Sequence, residues 1–205
     1  MSSRTLFASI AVLASAGYAV ADTSSIFYTV DSAAWAAYAT NAGASISTEN
    51  FSAISSGFYG SGVSGAVSGI SWTATATGGV SAYSGLVSTS AGSTTLNFAI
   101  SPGVNGIGGN IYGTDAKFVA VPAIITVTLT DSTSYVGYSN GPSDFIGFYS
   151  SLATISSLSI QVAGTGAGAT YATVDNLYFA SVPAPGAIAL IGVAGLVARR
   201  RERQA

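Results

Sequence analysis

The stretch Ile125-Thr126-Val127-Thr128-Leu129-Thr130 alternates apolar and hydroxyl side chains without a break. A period of two places Ile125, Val127 and Leu129 on one side of an extended chain and the threonines on the other, the pattern of a half-buried strand. Asp131-Ser132 follows as a tight turn, and Ser134-Tyr135-Val136 resumes the alternation. Working outward, the same texture recurs as short β-branched and aromatic runs broken by Gly, Ser and Asn. Candidate strands cover 45–52, 69–77, 80–88, 94–100, 106–112, 118–130, 134–137, 144–149, 156–162 and 171–179. Short strands at this spacing predict an all-β fold, an antiparallel β-sandwich of jelly-roll type.

One helix interrupts the pattern. Asp31 can cap a first turn, Trp35 and Tyr38 fall on one face, and Asn41-Ala42-Gly43 ends the run. Its expected use is to plug an edge or end of the β-domain, with the aromatics serving the core rather than a ligand. The Gly-rich segments 57–69 and 164–168 read as flexible. Gly106-Ile107-Gly108-Gly109 reads as a bulged strand; no helix follows it, so it is not a dinucleotide loop.

Composition narrows the function. Charged residues are 7% of the chain against 49% hydrophobic, far below the quarter of charged residues in an ordinary soluble domain. Lys117 is the one basic side chain between Arg4 and Arg199, facing Asp22, Asp31, Glu49, Asp115, Asp131, Asp144 and Asp175. An acidic middle repels nucleic acid, so a DNA or RNA partner is excluded. With no Cys, disulfides and thiolate zinc sites are excluded as well. Stability must come from a core, and a domain of about 160 residues hides about two-thirds of its unfolded surface.

The ends carry a different message. Residues 1–21 hold Arg4, an apolar run from Leu6 to Ala16, and small residues at Ala19 and Ala21. This is the three-part layout of a secretory signal peptide, with cleavage after Ala21; the alternative is a buried helix of a cytosolic domain. Residues 22–181 then form the extracellular domain. The tail, 182–205, begins Val182-Pro183-Ala184-Pro185-Gly186, runs uncharged from Ala187 to Ala198, and closes on Arg199, Arg200, Arg201 and Arg203. The apolar part is short for a transmembrane helix, but local bilayer thinning accommodates it. The arginines would stop it on the cytoplasmic side, while Gly192 and Gly195 offer a small-residue packing face.

This tail resembles the PEP-CTERM sorting signal of bacterial exported proteins. The resemblance implies recognition by an exosortase-type membrane protease, cleavage near the prolines, and delivery to the cell surface. The sequence departs from the family at Ala184, where an acidic residue is usual. A plain membrane anchor, never cut, is the alternative.

Catalytic chemistry finds little to work with. Without His or Cys the ordinary nucleophile–base pairs are missing, and nothing marks a serine partner for Lys117. Glu49 with one Asp could act as a glycosidase pair, but the aspartates mostly read as turn and cap residues. The chain is therefore expected not to be an enzyme. Glu49 in the first strand and Asp175 in the last stand apart, and those strands should lie close together. The segment Thr173-Val174-Asp175-Asn176-Leu177-Tyr178 resembles the terminal strand of calcium-containing jelly-roll carbohydrate-binding modules. That resemblance implies a structural Ca²⁺ on Glu49 and Asp175; the alternative is that Asp175-Asn176 caps a bulge and Glu49 faces solvent. Tyr59, Tyr83, Tyr112, Tyr135, Tyr138 and Tyr149 sit near turns or strand ends, where exposed rings could stack on sugars. The expected function is a structural or adhesive component of the cell surface or its matrix, with a carbohydrate-binding module for surface polysaccharide as the alternative.

Overall fold

A computed structural model describes residues 26–163 and 168–183. Ala19, Ala21, Ala184, Pro185, Gly186 and the four C-terminal arginines, with the signal and membrane-span readings they carry, lie outside the described residues. Among the described residues no helix is long and apolar enough to cross a membrane.

In chain order the elements are β1 (Ile26–Thr29), α1 (Ser32–Asn41), β2 (Ser45–Glu49), β3 (Gly57–Tyr59), β4 (Val63–Val67), β5 (Ile70–Thr75), β6 (Val80–Tyr83), β7 (Leu86–Thr89), β8 (Leu96–Ile100), β9 (Gly106–Asp115), β10 (Ala120–Val121), β11 (Ala123–Leu129), β12 (Ser134–Ser139), β13 (Phe145–Ser150), β14 (Ile155–Val162) and β15 (Thr170–Ser181). They form two antiparallel sheets. The larger runs β1-β13-β9-β15-β7-β6-β3, with β2 and β10 added beside β15 and β9; the smaller runs β12-β11-β14-β8-β5-β4. From β4 onward the chain passes repeatedly from one sheet to the other.

The opening pattern decides the packing as its period requires. Ala123, Ile125, Val127 and Leu129 are buried, while Ile124, Thr126 and Thr128 are half-buried on the opposite face of β11. Trp72, Phe98 and Phe51 cluster in the inter-sheet core with Ile107, Ile111, Leu177 and Phe179. Burial of that apolar surface is the main stabilising term.

Several sequence expectations are corrected. The run 118–130 is two strands, because Pro122 has no N–H to continue a ladder; β10 pairs in the larger sheet and β11 in the smaller. The segment 57–69, expected flexible, supplies two edge strands, β3 and β4. The run 80–88 is a hairpin: Ser84 and Gly85 take φ of 51° and 82°, the doubly positive geometry of a two-residue turn between twisted strands. Strand β9 carries no bulge at its glycines. The extra residue is in β15, where the register against β9 shifts between Val174 and Asn176.

Helix α1 forms as expected, with Asp31 Oδ1 accepting from the amides of Ala33 at 2.8 Å and Ala34 at 3.2 Å. It lies on the outer face of the larger sheet rather than plugging an edge. Trp35, 1% exposed, packs with Phe145, Tyr149 and Ala180 in a second core, and its indole N–H donates to the Phe148 carbonyl at 3.0 Å. Gly106 and Gly147 make this possible, since a Cβ at either position would overlap the Trp35 ring or its neighbours. The helix aromatics thus serve packing.

Candidate functional site

Two chain junctions face each other beside α1. At one, β1 gives way to the helix through Val30, Asp31 and Ser32. At the other, β12 turns into β13 through residues 140–144. Between them lies a shallow hollow of about 560 Å³, lined by Tyr138, Asn140, Ser143, Asp144 and Phe145 on one side and Val30, Asp31 and Ser32 on the other.

Both carboxylates and the backbone of the turn are held by local geometry. Asp144 Oδ2 accepts the Asn140 amide at 2.8 Å, and the Asp144 amide donates to the Gly141 carbonyl at 3.1 Å, which closes the turn. Asn110 on β9 donates its side-chain amide to the carbonyls of Pro142 at 3.2 Å and Asp144 at 3.3 Å. The Asn176 side chain reaches Asn110 Oδ1 at 3.4 Å, so the turn is tied through β9 to the bulge of β15. Across the hollow, Asp31 is fixed by its capping bonds. Each carboxylate therefore holds protein amides through one oxygen, which sets its position. The floor, Phe145, belongs to the second core. Tyr138 stands at the rim, 62% exposed.

The chemistry of this lining is specific. Two carboxylates without a cation in the lining disfavour an anionic ligand. Carboxylate, amide and hydroxyl groups suit a neutral ligand rich in O–H donors, and an exposed ring adds a surface for C–H faces.

The residues singled out from sequence are distributed otherwise. Glu49 pairs with Leu177 across β2 and β15 and so shares its inward face. Its Oε1 accepts the Phe51 amide at 2.7 Å and its Oε2 the Trp72 indole N–H at 3.0 Å. It is half-buried, and both oxygens accept hydrogen bonds. Asp175 is the extra residue of the β15 bulge, beside Tyr112 on the side of the sheet away from the main core. Burial first, and then the Asp175 carboxylate, push the Tyr112 hydroxyl above its ordinary value of 10.0. A Ca²⁺ on Glu49 would share its two oxygens with the indole and amide donors. Among the described residues no group of three or more His, Cys, Asp or Glu could hold a metal ion.

Of the six tyrosines, Tyr138 alone lines the hollow with acidic groups. Tyr59 donates its hydroxyl to the Ser55 carbonyl at 2.6 Å, Tyr149 is buried in the second core, Tyr135 packs against the main core, and Tyr83 is exposed at the β6–β7 turn. Sequence reasoning assigned Asp31 and Asp144 to capping, which they do. It missed that the two caps share a hollow, because no short-range pattern links residues so far apart in the chain.

No family model matches the chain, and no curated protein matches it. Solved structures similar to it include a family 29 carbohydrate-binding module, 10% identical, with a TM-score of 0.41 over 68% of this chain and 90% of that one. Two variants of a family 29 module, from work on ligand recognition by these modules, give 0.38 and 0.36. They are 10% and 12% identical, cover 62% and 61% of this chain, and are themselves covered to 86% and 91%.

Proposed function

We propose that this chain is a non-catalytic carbohydrate-binding domain of the cell exterior, exported by residues 1–21 and delivered through its 182–205 tail by an exosortase-type protease. The observation that carries the binding reading is the convergence of Tyr138, Asp31 and Asp144 on one hollow. A sugar ring stacked on Tyr138 would bury its C–H face and turn its hydroxyls toward carboxylate oxygens already fixed in place. Fixing the acceptors beforehand lowers the ordering cost of binding. The role is then adhesion to, or organisation of, a neutral polysaccharide at the surface.

The tail reading rests on its sequence pattern, and the chain's exit suits it. Val182 and Pro183 follow β15 directly and are exposed, so a protease would meet the start of the motif outside the sheet.

Titration calorimetry against neutral glycans chosen from an array tests the binding. Tyr138→Ala is expected to weaken it at least about tenfold, about 1.4 kcal/mol, and Asp144→Asn to weaken it less. No saturable glycan binding by the wild-type protein, or full binding by Tyr138→Ala, overturns the reading. The delivery reading has its own test in mass spectrometry of surface-fraction protein. A C-terminus near Pro183–Gly186 is expected, and an intact Arg203 refutes processing.

A further inference from the structure

The strands β1 and β15 place both described termini at one pole of the larger sheet. Ile26 pairs with Ser150, and Ser181 pairs with Ser45. A second hollow, of about 550 Å³, opens at this pole. Tyr38, Ala42, Tyr149, Leu152, Val182 and Pro183 give it an apolar character, and no charged side chain lines it. Leu152 is 53% exposed, Val182 41% and Tyr38 39%, so apolar surface is presented to the outside where the chain departs. The opposite pole differs. There the turn after β9 exposes Phe118 beside Lys117 and Asp115, about 40 Å away along the 12 residues of β15.

The length of the exit decides what meets the apolar pole. Only Ala184, Pro185 and Gly186 separate Pro183, which itself lines the hollow, from the uncharged run beginning at Ala187. Four residue steps span at most about 14 Å. The headgroup layer on each side of a bilayer is about 5–8 Å thick. An anchored chain therefore cannot hold this pole more than about 6–9 Å clear of the headgroups. The reading rests on the membrane-spanning part of the tail proposed above.

We infer that, while the tail is anchored, the pole formed by Tyr38, Leu152 and Val182 sits against the lipid headgroups. Tyrosine and apolar side chains favour that zone, where a ring can keep its hydroxyl in water. The glycan hollow lies toward the N-terminal end of α1, away from the helix end that carries Ala42, and so stays open in this orientation. Release of the tail would free the apolar pole, which gives the anchored and released forms different exposed surfaces.

The chain has no cysteine, so single labels can be placed without background. Full-length Leu152→Cys and Phe118→Cys, each carrying an environment-sensitive fluorophore, would be reconstituted in phosphatidylcholine vesicles. Quenching by a lipid-borne nitroxide and by aqueous iodide is then compared. The expected result is at least about threefold stronger nitroxide quenching at 152 than at 118, with the reverse order for iodide. Equal quenching at the two sites overturns the inference while leaving the anchor intact. A label at 152 shielded from both quenchers also overturns it, and shows a protein occupant instead. A chain that does not float with the vesicles refutes the anchor, and the inference with it.

Discussion

Glu49 shows how one charged residue can be structural in a chain with so few. The Trp72 ring is 1% exposed, so its N–H needs an acceptor inside the protein. Glu49 supplies it and with its other oxygen holds the Phe51 amide, at a residue whose φ is 55°. Glu49→Ala would leave the indole N–H without its acceptor, at a cost of about 2–3 kcal/mol. A lower denaturation midpoint followed by tryptophan fluorescence checks this; an unchanged midpoint would mean water substitutes for the carboxylate. Thr89 is the opposite case. It faces inward on β7, and its hydroxyl is buried without a partner among the described residues. Thr89→Val keeps the shape and removes that hydroxyl, so a gain of up to about 1 kcal/mol is expected in the same assay.

Among the elements, α1 depends on the sheet beneath it. Gly147 leaves room for the Trp35 ring, and a methyl there would press on both Trp35 and Phe145. Gly147→Ala should therefore cost about 1–3 kcal/mol and loosen the helix, which hydrogen exchange at the α1 amides would reveal. Protection equal to wild type would disprove the dependence. What could be read beforehand follows from the range of the interactions. The alternation of β11, the cap at Asp31 and the turn at Asp131-Ser132 are local, and the sequence showed them. Ser84-Gly85 was also a local signal, but the apolar residues on either side masked the turn between them. The glycines of β9 were read as a bulge, because what they make room for, Trp35 and Phe145, is distant in sequence. The bulge itself lies in the partner strand at Asp175, where the alternative reading of Asp175-Asn176 had put it. The candidate site was hidden for the same reason, since the cap and the turn come to face each other only after β1 pairs with β13.

At the scale of the whole molecule, the two tyrosines whose hydroxyls are raised by burial, Tyr112 and Tyr149, both lie on the outer face of the larger sheet. Burial raises the Tyr112 hydroxyl above 10.0, with the Asp175 carboxylate adding to it, and burial raises the Tyr149 hydroxyl, with Tyr38 adding to it. A raised pKa means the folded state holds the phenolic proton more tightly than the unfolded chain does. The stability this contributes is complete below pH about 10, the unfolded value, and is lost as pH rises through the higher folded values. Tyr149 packs in the second core and meets Tyr38 of α1 edge-on at 5.4 Å, so its ionisation would place a charge between the helix and the sheet. The urea midpoint is expected to be flat from about pH 8 to about pH 9.5 and to fall above about pH 10. In the double variant Tyr112→Phe/Tyr149→Phe the fall should be shallower, because neither ring can ionise. An equally steep fall in that variant would place the alkaline sensitivity elsewhere in the molecule.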